Sequence, residues 1–304
     1  MDLPSAADEG EPGSKRQQTS YAFPVLIFLC SLSIVIACNG NRKNETDAPA
    51  KRQQHLTDSL QQAKRMQQLA DSITAIKKKA TAKKKIYLTF DDGPNKGTLN
   101  VLNAVKEEQV AVSFFIVGKH VFDSPAQQAV WEQLKADSAI ELCNHSYTHA
   151  LNRYTKFYND PAGVVADFRK SDEKLDFNNH VVRMPGRNAW RIDSIRVTDI
   201  KESRAAIDSV HKAGFDIMGW DIEWSFDHKT FAPDTATGII LRRIRNMLDA
   251  GTTRTPGHLV LLAHDQAFQK EEYVQQLLDF LKELKGNEDY EFIMAGKYPG
   301  VRGY

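Results

Sequence analysis

From Ile86 to Met294 the chain alternates short apolar runs with amphipathic stretches, and this alternation restricts its fold more than any other feature. The strand candidates are Ile86–Phe90, Val112–Val117, Ile140–Cys143, Val181–Met184, Phe215–Gly219, Leu259–Leu262 and Glu291–Met294. Helical periodicity fills the gaps over Thr98–Gln109, Pro125–Ala136, Pro161–Phe177, Glu202–Ala213, Thr235–Leu248 and Glu271–Lys285, the last followed by Gly286 as a C-cap. Repeated strand-then-helix units bury each strand on both faces and call for a parallel sheet with helices packed outside it. The expectation is therefore an α/β fold, a distorted, seven-stranded parallel (β/α) barrel, held in one domain over residues 85–304.

A barrel of this kind builds its site where the C-terminal ends of the strands converge. Asp91 and Asp92 follow the first candidate strand, His145 and His149 the third, Asp221 and Glu223 the fifth and His264 the sixth, while Arg183 lies at the end of the fourth. All would open on one mouth. His145 and His149, at His-x3-His spacing, can turn two imidazoles to one side, and a carboxylate from another strand would complete a three-ligand metal site with open positions. Zinc is the default ion for two His and one Asp, although iron, cobalt or manganese accepts the same ligands. Read alone, the His-x3-His spacing describes two surface histidines on a turn; the neighbouring acids at a strand end reverse that.

Forty basic and thirty-nine acidic residues leave a formal charge of +1, which gives no field for gripping nucleic acid. Residues 21–37 are uncharged and apolar, and Lys15 and Arg16 precede them, the pattern of an export signal. Val35-Ile36-Ala37-Cys38 resembles a bacterial lipobox, so lipidation at Cys38 is expected, with segment 1–38 as a lipoprotein-type signal; a retained membrane helix is the alternative. Either reading places the rest of the chain outside the cytoplasm and on a membrane. Residues 39–84 read as a polar tether followed by an amphipathic helix whose apolar positions include Leu56, Leu60, Met66, Leu69 and Ile73. It serves as a stalk, or as a weak dimer seam over residues 56–76.

The first motif, Thr89-Phe90-Asp91-Asp92-Gly93-Pro94, resembles the TFDDGP motif of the polysaccharide deacetylases of the NodB-like carbohydrate esterase family 4. His145-Ser146-Tyr147-Thr148-His149, Arg183-Met184-Pro185, Glu223-Trp224 and Leu262-Ala263-His264 are similar to its later motifs, in the same order. The resemblance implies a metal-dependent hydrolase that removes acetyl groups from N-acetylated sugars of an extracytoplasmic polysaccharide. By it Asp91 is the general base, Asp92, His145 and His149 hold one divalent metal, and His264 is the general acid. Arg183 would orient Asp91, Glu223 would tune His264, and Pro185, Gly186, Trp224 and Leu262 would meet the substrate. An O-acetyl esterase acting on xylan, or a silent glycan-binding lipoprotein, remains as an alternative; the intact acids and histidines argue against the silent form.

Two departures stand out. Gly186 and Arg187 follow Pro185 where the family places an aromatic residue and then glycine, and Glu223 stands where Asp is usual. The N–H of Gly186 could still serve as an oxyanion donor, and Trp190 is a candidate for the missing aromatic wall. Cys143 reads as a packed thiol rather than a soft ligand. His180, His211, His228 and His258 have no partner at metal spacing.

Overall fold

A computed structural model describes residues 48–302. The apolar run 21–37, Cys38 and the start of the tether lie outside the described residues. Contacts divide the chain into one unit ending at Leu69 and a second running from Ala70 to Tyr304. A helix, α1 (Ala48–Thr81), covers the expected segment and runs on into the lysine-rich stretch after Ile76. Its residues Leu56, Leu60, Met66, Leu69 and Ile73 are each at least 46% exposed, so the apolar stripe is uncovered. No described helix is long and apolar enough to cross a membrane.

In the second unit the order is β1 (Lys84–Gly93), α2 (Thr98–Glu107), β2 (Val112–Ile116), α3 (Gly118–Val121), α4 (Pro125–Lys135), β3 (Ile140–Asn144), α5 (Tyr154–Tyr158) and α6 (Pro161–Leu175). There follow β4 (Val181–Val182), β5 (Ala189–Ile192), β6 (Ile195–Thr198), α7 (Arg204–Lys212), β7 (Asp216–Ile217), β8 (Ile222–Trp224), α8 (Thr237–Ala250), β9 (His258–His264), α9 (Glu271–Lys285) and β10 (Tyr290–Phe292). Local signals set several boundaries. Ser124 and Asp160 accept hydrogen bonds from the third residue beyond them, and Pro125 and Pro161 open α4 and α6 behind these caps. Gly251 ends α8 in the left-handed region, at φ 64°.

The strands form one sheet in the order β6-β5-β7-β4-β3-β2-β1-β9-β8, with β10 beside the start of β1. This corrects the seven-stranded parallel barrel to a mixed half-barrel with ten strands among the described residues. Two physical causes account for the difference. Residues 189–198 alternate apolar and polar side chains about Asp193-Ser194, and Asp193 takes φ 45°, so the segment closes as an antiparallel hairpin, β5 with β6. The expected fifth strand also breaks. Its β7 part pairs with β4, while the chain beyond the bend forms β8 and joins β9 at the other side of the sheet.

Strand β1 shows why these runs read as continuously apolar. Ile86, Leu88 and Phe90 face the helix layer, where they pack with residues of α2, α8 and α9. Tyr87 points to the concave side and packs with Phe115, Cys143, Trp190 and Val260. A strand covered on both faces has no polar stripe to show. Alternation then carries Thr89 and Asp91 along the concave side toward the C-terminal rim.

Candidate metal and acid–base site

In a regular strand adjacent residues point to opposite faces, so Asp91 and Asp92 should not share a site. The register between β1 and β2 shifts between Asp91 and Gly93, and Asp92 takes φ 75°. This bulge turns Asp92 into the mouth that Asp91 already faces. Asp92 Oδ1 then lies 3.1 Å from His149 Nε2 and 3.5 Å from His145 Nε2.

Asp91 is held from below. Its Oδ1 accepts a 2.7 Å bond from Arg183 Nη1, and its Oδ2 lies 3.6 Å from His145 Nε2. Arg183 is fully buried and donates also to Thr89 Oγ1 at 2.8 Å and to the carbonyls of Met218 and Gly219. Its guanidinium rests 4.0 Å over the Phe115 ring. A buried ion pair with its remaining donors satisfied is costly to break; removing one partner typically costs about 3–5 kcal/mol.

The His-x3-His turn is fixed by its own polar side chains. Asn144 accepts a bond from Ser146 N and donates to Phe168 O, and Ser146 Oγ accepts from His149 N at 3.1 Å. Asp167 receives the backbone and hydroxyl of Thr148. From His149 through Asn152, four consecutive residues lie at positive φ, between 49° and 58°. His145 donates its Nδ1–H to Arg183 O at 2.8 Å, which leaves Nε2 with a lone pair facing Asp92.

One ligand atom from each of Asp92, His145 and His149 lies within 4.8 Å of the others. Asp92 Oδ1 is buried and has no hydrogen bond of acceptable geometry. Such an orphaned oxygen beside two imidazole lone pairs fits a divalent cation, and the donor set suits zinc and its first-row neighbours. Burial opposes ionisation of Asp92, yet His145, His149 and His264 outweigh it and hold the carboxyl well below the usual carboxylate range. Burial lowers His149 to about 4, so its ring is neutral at neutral pH. For His145 burial acts the same way, but Asp91 and Asp92 overcome it and raise the ring.

The β8–β9 side differs from expectation. His264 ends β9 in register with Asp91, and its Nδ1 is buried without a hydrogen-bond partner among the described residues. Its ring packs 5.3 Å from that of Phe226. Glu223 pairs in register with Leu262, but among the described residues its side chain makes no hydrogen bond or ion pair, so it does not orient His264. Asp221 does not face the mouth. It precedes β8 and its carboxylate receives Arg254 N and Val260 N, fastening the turn before β9.

Trp224 is 1% exposed and packs on Phe268 and Phe280 in the helix-side core, so it is not a wall for substrate. Trp190 is likewise fully buried and packs at a tilt on Tyr298. Leu262 is 2% exposed, two residues below His264 on the same face. The carbonyl of buried Pro185 accepts Tyr158 OH at 2.7 Å, and Gly186 is exposed at φ 61°. Cys143 is packed in the concave core with Sγ 3.7 Å from Glu141.

A cleft of 440 Å³ opens over the metal-site residues and is lined by Asp92, His149, His120, Tyr154, Phe226 and Gln266 among others. Sequence reasoning missed His120, Tyr154 and Gln266. His120 donates Nδ1–H to Asp92 O at 2.8 Å, and Gln266 approaches Asp92 Oδ2 at 3.4 Å. Each is a lone polar residue in a loop or single-turn helix, with no spacing to betray it. A larger cavity of 710 Å³ shares Thr148 and Leu151 with the cleft but contains none of Asp91, Asp92, His145, His149 and His264.

Comparison with known proteins bears on the family and the fold. Residues 78–188 match the family described as polysaccharide deacetylase. The peptidoglycan-N-acetylglucosamine deacetylase of Bacillus cereus is 28% identical over 69% of this chain and 68% of its own. The chitin disaccharide deacetylase of Vibrio alginolyticus is 24% identical over 47% of this chain and 48% of its own. The chain thus spans about half to two thirds of the length of the curated relatives it matches. The solved catalytic domain of a peptidoglycan N-acetylglucosamine deacetylase from Eubacterium rectale shares the fold, with TM-score 0.53, 19% identity and coverage of 73% of this chain and 93% of that one. On the family match over residues 78–188 and the relatives, this chain is similar to the polysaccharide deacetylases, and it shares the fold of a solved one.

Proposed function

We propose that this chain removes acetyl groups from N-acetylated sugar residues of an extracytoplasmic polysaccharide, with one divalent metal, Zn²⁺ by default, held by Asp92, His145 and His149. The observation that carries the reading is the convergence of these three side chains, with an orphaned Asp92 oxygen between them, beside a separately held Asp91. A cation in that position supplies Lewis acidity, polarising the acetyl carbonyl and acidifying water beside it. Arg183 occupies Asp91 Oδ1, which leaves Oδ2 to take the proton from the attacking water. As the water oxygen bonds to the carbonyl carbon and the C–N bond breaks, His264 delivers a proton to the departing nitrogen, giving acetate and a free amine. With Nδ1 buried, Nε2 is the nitrogen that can meet the leaving group.

Relatives named for acetylated amino sugars support this substrate class. The test is acetate release by the zinc-loaded full chain from chitooligosaccharides, peptidoglycan fragments and acetylated xylan. Release from the first two supports the reading; none from any, with zinc bound, overturns it. Export and anchoring rest on the sequence of residues 15–38 alone, and Cys38→Ser should release the protein from membranes or leave the precursor unprocessed. The uncovered stripe of α1 supports a weak dimer through residues 56–76, which sedimentation of the full chain would detect.

A further inference from the structure

We infer that the ring of Tyr154, carried by α5, is the wall that seats the acetylated sugar beside the metal-site residues, a specificity role that rests on the deacetylase reading above. Four observations place it there. Tyr154 lines the same cleft as Asp92 and His149. Its ring meets the His149 ring edge-on, with centroids 5.9 Å apart and planes at 87°, so one metal-site imidazole fixes its position. A Cβ built on Gly186 would lie 3.0 Å from the Tyr154 ring, so the ring occupies space that any side chain at 186 would contest. Its hydroxyl makes no hydrogen bond among the described residues, while the ring itself packs at the edge of the Tyr158–Phe168 core with the Arg187 guanidinium 5.8 Å over it.

The chemistry suits a pyranose. Sugar rings present a face of C–H groups, and an aromatic ring buries that face at little entropic cost because it has few rotatable bonds. Trp190 and Trp224 are both in the core, which leaves Tyr154 as the aromatic ring adjoining the ligand His149. Gly186, at φ 61°, is what admits the ring, so the two positions act as one feature.

The test uses the zinc-loaded full chain, N-acetylglucosamine tetramer as probe, and two readouts: the dissociation constant by calorimetry and the kinetics of acetate release. Tyr154→Ala should weaken binding and raise KM about tenfold while kcat moves less than threefold, the signature of lost uniform binding. Tyr154→Phe should restore both to within twofold of the parent chain. Gly186→Ala should also raise KM, and the part of that rise due to the ring should be lost in the Tyr154→Ala background, leaving the strain of an L-residue at φ 61°. Unchanged binding in Tyr154→Ala at full zinc content overturns the proposal, and so does a Tyr154→Phe variant as weak as the Ala one. A parent chain that binds the tetramer through Tyr154 but releases no acetate overturns the deacetylase reading and keeps the wall. A parent chain that does not bind the tetramer overturns both.

Discussion

The two sides of the cleft are built differently. On the β1–β3 side hydrogen bonds fix the side chains of Asp91 and His145, through Arg183 and its carbonyl, and the backbones of His149 and Asp92, through Ser146 and His120. On the β8–β9 side His264 has an unpartnered Nδ1, Glu223 is bonded to nothing described, and positioning falls to the Phe226 ring. Hydrogen bonds define angles, whereas packing defines volume. The first side is suited to ligating an ion and aiming a base; the second can only limit where an imidazole swings.

The largest effect should come from the bonded side. His145→Ala should abolish both zinc binding and turnover, read by metal analysis and acetate release; unchanged zinc stoichiometry would remove the site. Asp92→Asn should weaken zinc binding and recover in part with excess metal. Next, Asp91→Asn should keep its zinc while kcat falls by about a hundredfold or more, the usual scale for loss of a general base. If the two aspartates exchanged these behaviours, the bulge at Asp92 would have been assigned the wrong ligand.

The joint between the two sides is a buried carboxyl. Asp265, just after β9, is fully buried and receives Asn95 and Thr98 from the loop after β1. Burial raises its carboxyl to about 7, against the pull of those two donors. A raised carboxyl holds its proton in the folded state where the unfolded chain has lost it, so its contribution to stability falls as pH rises from about 4 to about 7. Asp265→Asn should flatten the stability–pH curve in that window by an amount on the order of 1–4 kcal/mol, measured by urea denaturation at a series of pH values. His149 acts in the opposite sense. Lowered by burial to about 4, it adds stability as pH rises from about 4 to about 6.5, so the curve left in Asp265→Asn should rise there.

The smallest effect should be at Glu223. Because it does not touch His264, Glu223→Gln should change kcat less than threefold, with the acid limb of the pH–rate profile in place; a tenfold loss would mean that the packed side has a charge partner after all.

What could be read in the sequence follows the same division. The Asp91-Asp92 pair and the His-x3-His spacing were legible because their groups are close in sequence and lie at the ends of long apolar runs. Asp221 and Trp224 were misplaced because a strand that breaks between Ile217 and Ile222 keeps its apolar content while its pleat restarts on a different neighbour. Only the pairing partner reveals the change. The β5–β6 hairpin did carry a local signal, alternation about Asp193-Ser194, but the strand-then-helix rhythm around it masked the pattern. Tyr154 and His120 had no signal, since each acquires meaning only from what the folded chain brings beside it.

The run of positive φ from His149 to Asn152 gives this chain an unusual mutational profile. Left-handed backbone costs an L-residue roughly 1–2 kcal/mol, with glycine exempt and asparagine tolerant. Asn152 already suits its place, whereas Ala150 and Leu151 hold their conformation against that cost. Leu151 is 58% exposed, so little packing is lost by replacing it. Glycine, ordinarily a weakening choice, should therefore be accepted at 151, while valine or isoleucine there should unseat the turn that carries His149. A library spanning these four positions would favour the residues that helices and strands reject.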